Sequence, residues 1–198
     1  MRRALRSIVL ASILGSAGCS EEPPPAPVTE PEPEPAAPVV VEPPAVGAIP
    51  APSAGRAQVA IPTLGEGFSF PVSELEAGFG RDTTMTLLKL QTEGGPSIQL
   101  TFHGARPSTG DHPVATDPAE DTWTGALGGT HLELRGGTLT VDALEDQQLT
   151  GSFDLEVREP RAPEPTRLRG RFSARRDRYY DGVIEHQAAI RDQLRNRN

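Results

Sequence analysis

From about residue 57 the chain alternates apolar and polar residues with a period of two. Ile98, Leu100 and Phe102 are interleaved with Ser97, Gln99, Thr101 and His103, the pattern of a strand with one buried face. The same alternation places Leu132 and Leu134 against His131, Glu133 and Arg135, and Leu139 and Val141 against Thr138, Thr140 and Asp142. Further on, Leu149, Phe153, Leu155 and Val157 alternate with Thr150, Ser152, Asp154 and Glu156. A last strand carries Leu168, Gly170, Phe172 and Ala174 on one face and Arg167, Arg169, Arg171 and Ser173 on the other. Less regular strand patterns lie near 57–61, 67–72 and 84–91. Turn signals are Gly94-Gly95-Pro96, Gly110-Asp111-His112-Pro113, Gly128-Gly129, Gly136-Gly137 and Glu145-Asp146. One-sided alternation at short spacing predicts an all-β domain over 57–176, an antiparallel sandwich or flattened barrel of about 7–8 strands.

The last two strands specify their own register. If they form a hairpin around 158–165, pairing Leu155 with Leu168 also pairs Phe153 with Gly170 and Gly151 with Phe172. On the polar face it sets Glu156 opposite Arg167 and Asp154 opposite Arg169. Large meets small inside and acid meets base outside, each pair adding roughly 0.2–1 kcal/mol. The arginine row is therefore expected to be mostly structural. Arg171, Arg175, Arg176 and Arg178 find no partner in this register, so a comb for anionic polysaccharide or lipid headgroups stays open beside it.

After Arg176 the period lengthens. Tyr180, Val183, Ile184, Gln187, Ile190 and Leu194 recur at three and four residues, predicting a C-terminal amphipathic helix over 177–198. Asp177 or Asp181 can cap it, and Arg195 and Arg197 suit its C-terminal end. The expected role of this helix is to dock on the β domain.

The first third of the chain follows other rules. Arg2, Arg3 and Arg6 precede a short apolar run, Ile8–Leu14, too short to span a bilayer, and Gly15-Ser16-Ala17-Gly18 supplies small residues for cleavage. The only cysteine, Cys19, follows at once. The segment Ser16-Ala17-Gly18-Cys19 resembles the lipobox of bacterial lipoproteins, with Ser16 where leucine is usual. The resemblance implies a signal peptide over 1–18, cleavage before Cys19 and lipid attachment at its thiol. Several acyl chains, at about 0.8 kcal/mol per buried methylene, hold a protein on a membrane almost permanently. Ser20 resembles an outer-membrane sorting residue, so the implied location is the bacterial cell envelope, lipid-anchored at the outer membrane. The other reading is an ordinary secretory peptide cut after Ala17 or Gly18.

Residues 19–56 hold twelve of the 21 prolines and no aromatic residue. Such a stretch cannot bury enough apolar area to offset its ordering entropy, so a disordered N-terminal arm is expected. Proline and mutually repelling glutamates favour extended polyproline II, and at about 3.1 Å per residue the arm reaches roughly 100 Å. It reads as a stalk.

Charge adds one exclusion. Without its first 18 residues the chain keeps 16 of its 19 basic residues against 27 acids. That acidic balance argues against nucleic acid as a partner. All the basic residues but Lys89 are arginine, which reads first as GC-rich codon usage.

The segment Gly137-Thr138-Leu139-Thr140-Val141, Glu145-Asp146, Gly151-Ser152-Phe153 and Gly170-Arg171-Phe172 resembles small uncharacterised β-rich bacterial lipoproteins. Those families carry no established activity to transfer.

No motif names a reaction. His103, His112, His131 and His186 are not spaced as local ligands, and there is no nucleophile elbow, metal-helix motif or phosphate loop. No catalytic, cofactor or metal residues are assigned, and Cys19 is the one chemically specific site. Trp123 is expected to pack in the core or a loop rather than stack on a sugar. Three functions remain. The first is a non-enzymatic envelope module that binds an envelope protein or glycan or plays a structural role. The second is a calycin-like barrel around a small apolar ligand. The third is a hydrolase using Asp111, Asp117, Glu120 and Asp121. A solid or hollow interior separates the first two.

Overall fold

In the computed structural model, residues 42–62, 70–160 and 164–196 are described. The signal segment, Cys19 and the arm to residue 41 lie outside the described residues. The fold comprises β1 (Arg56–Ala60), β2 (Val72–Arg81), β3 (Met85–Gln91), β4 (Ser97–His103), β5 (Gly110–Ala115), β6 (Trp123–Gly128), β7 (Glu133–Leu144), β8 (Gln148–Arg158), β9 (Thr166–Arg176) and α1 (Arg178–Arg195).

The nine strands close into one barrel in the order β1-β2-β3-β4-β6-β5-β7-β8-β9, with β9 returning to β1. Of the two architectures expected the structure is the barrel and not the sandwich, and the strand count is corrected to nine from 7–8. Closure removes the edges that a sandwich leaves unpaired. Most pairs are antiparallel, while β5–β6 and β2–β9 touch in parallel over two residue pairs each.

The miscounts have local causes. Gly110-Asp111-His112-Pro113 reads as a turn but forms the first four residues of β5, which pairs with β7 from Gly110↔Val141 to Val114↔Gly137. Gly125 interrupts the alternation of β6, because a Cβ there would lie 2.5 Å from Leu100 Cδ2. Gly136-Gly137 is no turn; it is an irregularity inside β7, between Leu134 and Gly136, that lets one strand do the work of two. Gly137 sits at φ +140°, where a Cβ would be 2.4 Å from Asp154 O. Of the pattern near 67–72, residues to 69 lie outside the described ones, and β2 begins at Val72.

The β8–β9 register is the one the sequence specifies, Gly151↔Phe172, Phe153↔Gly170, Asp154↔Arg169, Leu155↔Leu168 and Glu156↔Arg167. Each glycine is the notch for the opposite ring. A Cβ on Gly170 would stand 2.4 Å from Phe153 Cζ, and one on Gly151 2.9 Å from Phe172 Cζ. The two rings stack at 6.5 Å between centroids.

Inward residues of every strand join one core. Phe79, Leu88, Leu90, Leu100, Trp123, Leu139, Leu149 and Leu155 are fully buried. A second, smaller cluster lies outside the barrel wall, where Met85 and Leu87 of β3 receive Ile184, Tyr180 and Val183 of α1. Gly78 and Gly80 on the outer face of β2 make room for that helix: a Cβ on Gly80 would be 2.6 Å from the Tyr180 backbone carbon, and one on Gly78 2.7 Å from the Tyr180 ring. Asp177 is the N-cap, accepting from Tyr179 N–H at 2.8 Å. Asp181 instead accepts from the Arg81 amide at 2.9 Å and pairs with Arg176 at 3.1 Å, tying the first helical turn to β2 and β9. The docked stripe is shorter than the sequence period suggests, since Ile190 is 43% and Leu194 58% exposed.

The last part of the proline-rich segment is not stalk. Residues 42–55 pack on the barrel, with a 3-10 turn at Val46–Ala48 and Ile49 only 1% exposed. Ile49 and Pro43 supply buried apolar surface, so this portion orders as a strap on the barrel.

Candidate functional site

Among the described residues the inward side chains of all nine strands pack into one apolar cluster. At the end beneath the β3–β4 turn, Val59, Leu75, Ile98, Leu127, Leu132 and Leu168 leave about 30 Å³ of space. That is the share of a single water, against roughly 300–1,000 Å³ for ligand pockets. Trp123 is wholly buried, 5.3 Å from Phe102 between ring centroids, which settles it as a core residue.

The residues singled out for chemistry do not gather. Cys19 lies outside the described residues. Asp111 is exposed on β5 and accepts from Thr140 Oγ1 at 2.6 Å, while Asp117, Glu120 and Asp121 are exposed in the β5–β6 connection. His112 is not in a turn. It points inward on β5, its Nε2 donating to Ser108 O at 2.7 Å and its ring edge-on to Phe102. His103 Nε2 lies 2.8 Å from Thr124 Oγ1 on the outer wall. His131 and His186 are exposed. Among the described residues no three His, Cys, Asp or Glu side chains are grouped as a metal ion requires. No described helix is long and apolar enough to cross a membrane.

The arginines of β9 divide into two sets. Arg167 pairs with Asp154 at 2.9 Å and more loosely with Glu156 at 4.0 Å. Arg169 holds Asp154 at 3.0 Å, Glu42 at 2.8 Å and the Pro43 carbonyl at 2.8 Å. Burial opposes the Arg169 charge, but Glu42 and Asp154 outweigh it and hold the guanidinium above its ordinary pKa. Arg171 donates to Ile49 O at 3.3 Å. The first set thus binds barrel and strap together. Arg171 and Arg176, unpaired in the strand register alone, find partners in the strap and in Asp181.

The second set opens onto solvent. Where β9 passes into α1, a groove of about 740 Å³ is lined by Arg56, Lys89, Arg175, Arg176 and Arg178, against two acids, Glu76 and Asp177. Among the described residues the guanidiniums of Arg175 and Arg178 have no hydrogen-bonding or ion-pair partner. Lys89 Nζ stands 5.8 Å from the centroid of the Tyr180 ring, a cation–π approach. Tyr180 is held above the ordinary phenol pKa by burial first, then by Asp177, Tyr179 and Glu76. The sequence signal was the set of arginines left without a partner in the β8–β9 register, but Lys89, Arg56 and Glu76 join the groove only through barrel closure. No protein-family model, curated protein or solved structure matches this chain.

Proposed function

We propose that this protein is a lipid-anchored lipoprotein of the bacterial cell envelope whose barrel is a non-enzymatic module binding a partner or glycan on its outer surface. The observation carrying the binding part is the contrast between the packed apolar cluster of the described inward residues and an open, basic exterior groove. The anchor rests on the n-region, the h-region and Cys19, and the proline-rich residues between Cys19 and the strap serve as the spacer.

Two experiments test the two parts. Labelled palmitate should enter the protein and be lost in Cys19→Ser, and globomycin should block processing; unchanged processing without label would remove the anchor. A pull-down from envelope extracts should retain a specific component only when the barrel is present, and clean failure across conditions would count against a binding module. The closed barrel is also compatible with the calycin-like reading. With about 30 Å³ between Val59, Leu75, Ile98 and Leu168, that reading requires the barrel to open for its ligand.

A further inference from the structure

We infer that the groove between β9, β2 and α1 is a binding site for a phosphate-bearing headgroup. The inference rests on the reading of the barrel as an outward-facing binding module. Of the five cations lining the groove with Glu76 and Asp177, Arg176 is paired with Asp181 and Arg56 with Glu74 and Glu76, which leaves Lys89, Arg175 and Arg178 without an ion-pair partner among the described residues, in a chain whose net charge is −8. Like charges gathered against the trend of the whole molecule repel one another, so the arrangement costs free energy unless an anion relieves it.

The two acids are poor neutralisers. Asp177 already accepts the Tyr179 amide as helix cap. Glu76 lies 3.9 Å from Arg56, which is shared with Glu74 at 3.6 Å. The cations differ in how firmly they are held. Asp181 and the Arg81 carbonyl fix Arg176, and the Tyr180 ring places Lys89. Arg175 and Arg178 are exposed and unpartnered among the described residues. A ligand therefore meets a preset inner pair and an outer pair free to close on it.

Size and charge density choose the class. The groove has the volume of a small-molecule site, roughly 300–1,000 Å³, so the anion must concentrate its charge. A phosphate monoester puts up to two charges and three acceptor oxygens on one tetrahedral head, and guanidinium forks grip it two bonds at a time. Carboxylates bring one charge each on a bulkier chain.

The test uses the full chain carrying Cys19→Ser, so that no acyl group contributes. Glucose 6-phosphate and pyrophosphate are titrated calorimetrically, and phosphatidylcholine vesicles with and without phosphatidic acid are tested by co-sedimentation. Binding of the soluble phosphates, or of the phosphatidic acid vesicles alone, supports the site and says whether the headgroup is free or lipid-borne. Arg175→Gln with Arg178→Gln should weaken binding about tenfold or more. Arg135→Gln with Arg195→Gln removes the same charge elsewhere and should change it less than about twofold. The inference is overturned if no phosphate probe binds, if polyglutamate binds as tightly, or if the control pair loses as much as the groove pair. Absence of phosphate binding alongside a retained envelope partner defeats the groove alone; failure of both defeats the binding module as well.

Discussion

Gly170→Ala should destabilise the barrel, and trimming Phe153 should recover much of the loss. The alanine Cβ would lie 2.4 Å from Phe153 Cζ and 2.9 Å from Cε1, where carbon atoms prefer about 3.5–4.0 Å. The ring cannot step aside freely, because Phe153 is 1% exposed and stacked on Phe172. Overpacking of this kind costs about 1–3 kcal/mol. Phe153→Leu alone removes ring volume and should cost less than the roughly 3–5 kcal/mol of a Phe→Ala change. Because each substitution compensates the other, the double variant should be more stable than the sum of the singles by about 0.5–3 kcal/mol. Urea unfolding of the full chain, followed by circular dichroism at constant slope, measures all three. Additivity to within about 0.5 kcal/mol would refute the ring-in-notch register. Gly151 provides the contrast. A Cβ there would fall 2.1 Å from the Thr140 carbonyl oxygen, so Gly151→Ala should not be rescued by trimming Phe172.

Three further outcomes follow from the geometry. Gly80→Ala drives a Cβ to within 2.6 Å of the Tyr180 backbone, so α1 should lose amide-exchange protection while the strands keep theirs; protection lost uniformly would contradict separate docking. In a Tyr179→Phe chain the single phenol, Tyr180, should titrate by ultraviolet absorbance above the ordinary value of about 10. Its folded pKa is raised, so its contribution to stability is complete below the unfolded pKa and is lost as pH rises through the folded one; Tyr180→Phe should abolish that alkaline loss. Arg169→Gln removes the grip on Glu42 and on the Pro43 carbonyl, and should make residues 42–55 more susceptible to limited proteolysis while leaving the barrel resistant. The pair with the 73% exposed Glu42 is worth about 0–1 kcal/mol, so a larger loss of global stability would report the 3.0 Å contact of Arg169 with the part-buried Asp154.

The sequence carried the fold where side chains alternate without interruption and lost it where glycine or proline did the structural work. β4, β8 and β9 bury every second residue, and even the pairing of β8 with β9 could be read from ring and glycine complementarity. β5 contains Gly110 and Pro113, residues that mark turns unless a neighbouring strand supplies the pairing. β7 carries two glycines that composition alone cannot tell from a loop. Gly78 and Gly80 interrupt β2 for a reason that lies outside the strand, the helix packed on its outer face. The strap was hidden by its prolines, because the burial of Pro43 and Ile49 and a distant Arg169 decide its order. The groove was half legible: its arginines follow one another near the C-terminus, but Lys89 and Arg56 reach it from strands that are neighbours only in the closed barrel.

That division explains why unpaired cationic charge concentrates at the β9–α1 seam. Within β9 an outward arginine faces the outward acids of β8, so Arg167 and Arg169 are consumed by Asp154 and Glu156 as the register dictates. Arg171 and Arg169 then take the strap, whose carbonyls and Glu42 use the remaining donors. Beyond Ala174 the β8 partners run out: Arg175 pairs in register with Gln148, which spends its amide on Ser173. The chain then turns into α1, whose seat on Gly78 and Gly80 fixes Arg178 beside the same opening while bringing Tyr180 under Lys89. Charge that strand pairing cannot neutralise is thus displaced to the one place where β9 stops being a strand. A substitution that lifts α1, such as Gly80→Ala, should therefore weaken phosphate binding even though Arg175 and Arg178 are untouched. Unchanged binding with a demonstrably released helix would break the link between the docking of α1 and the assembly of the groove.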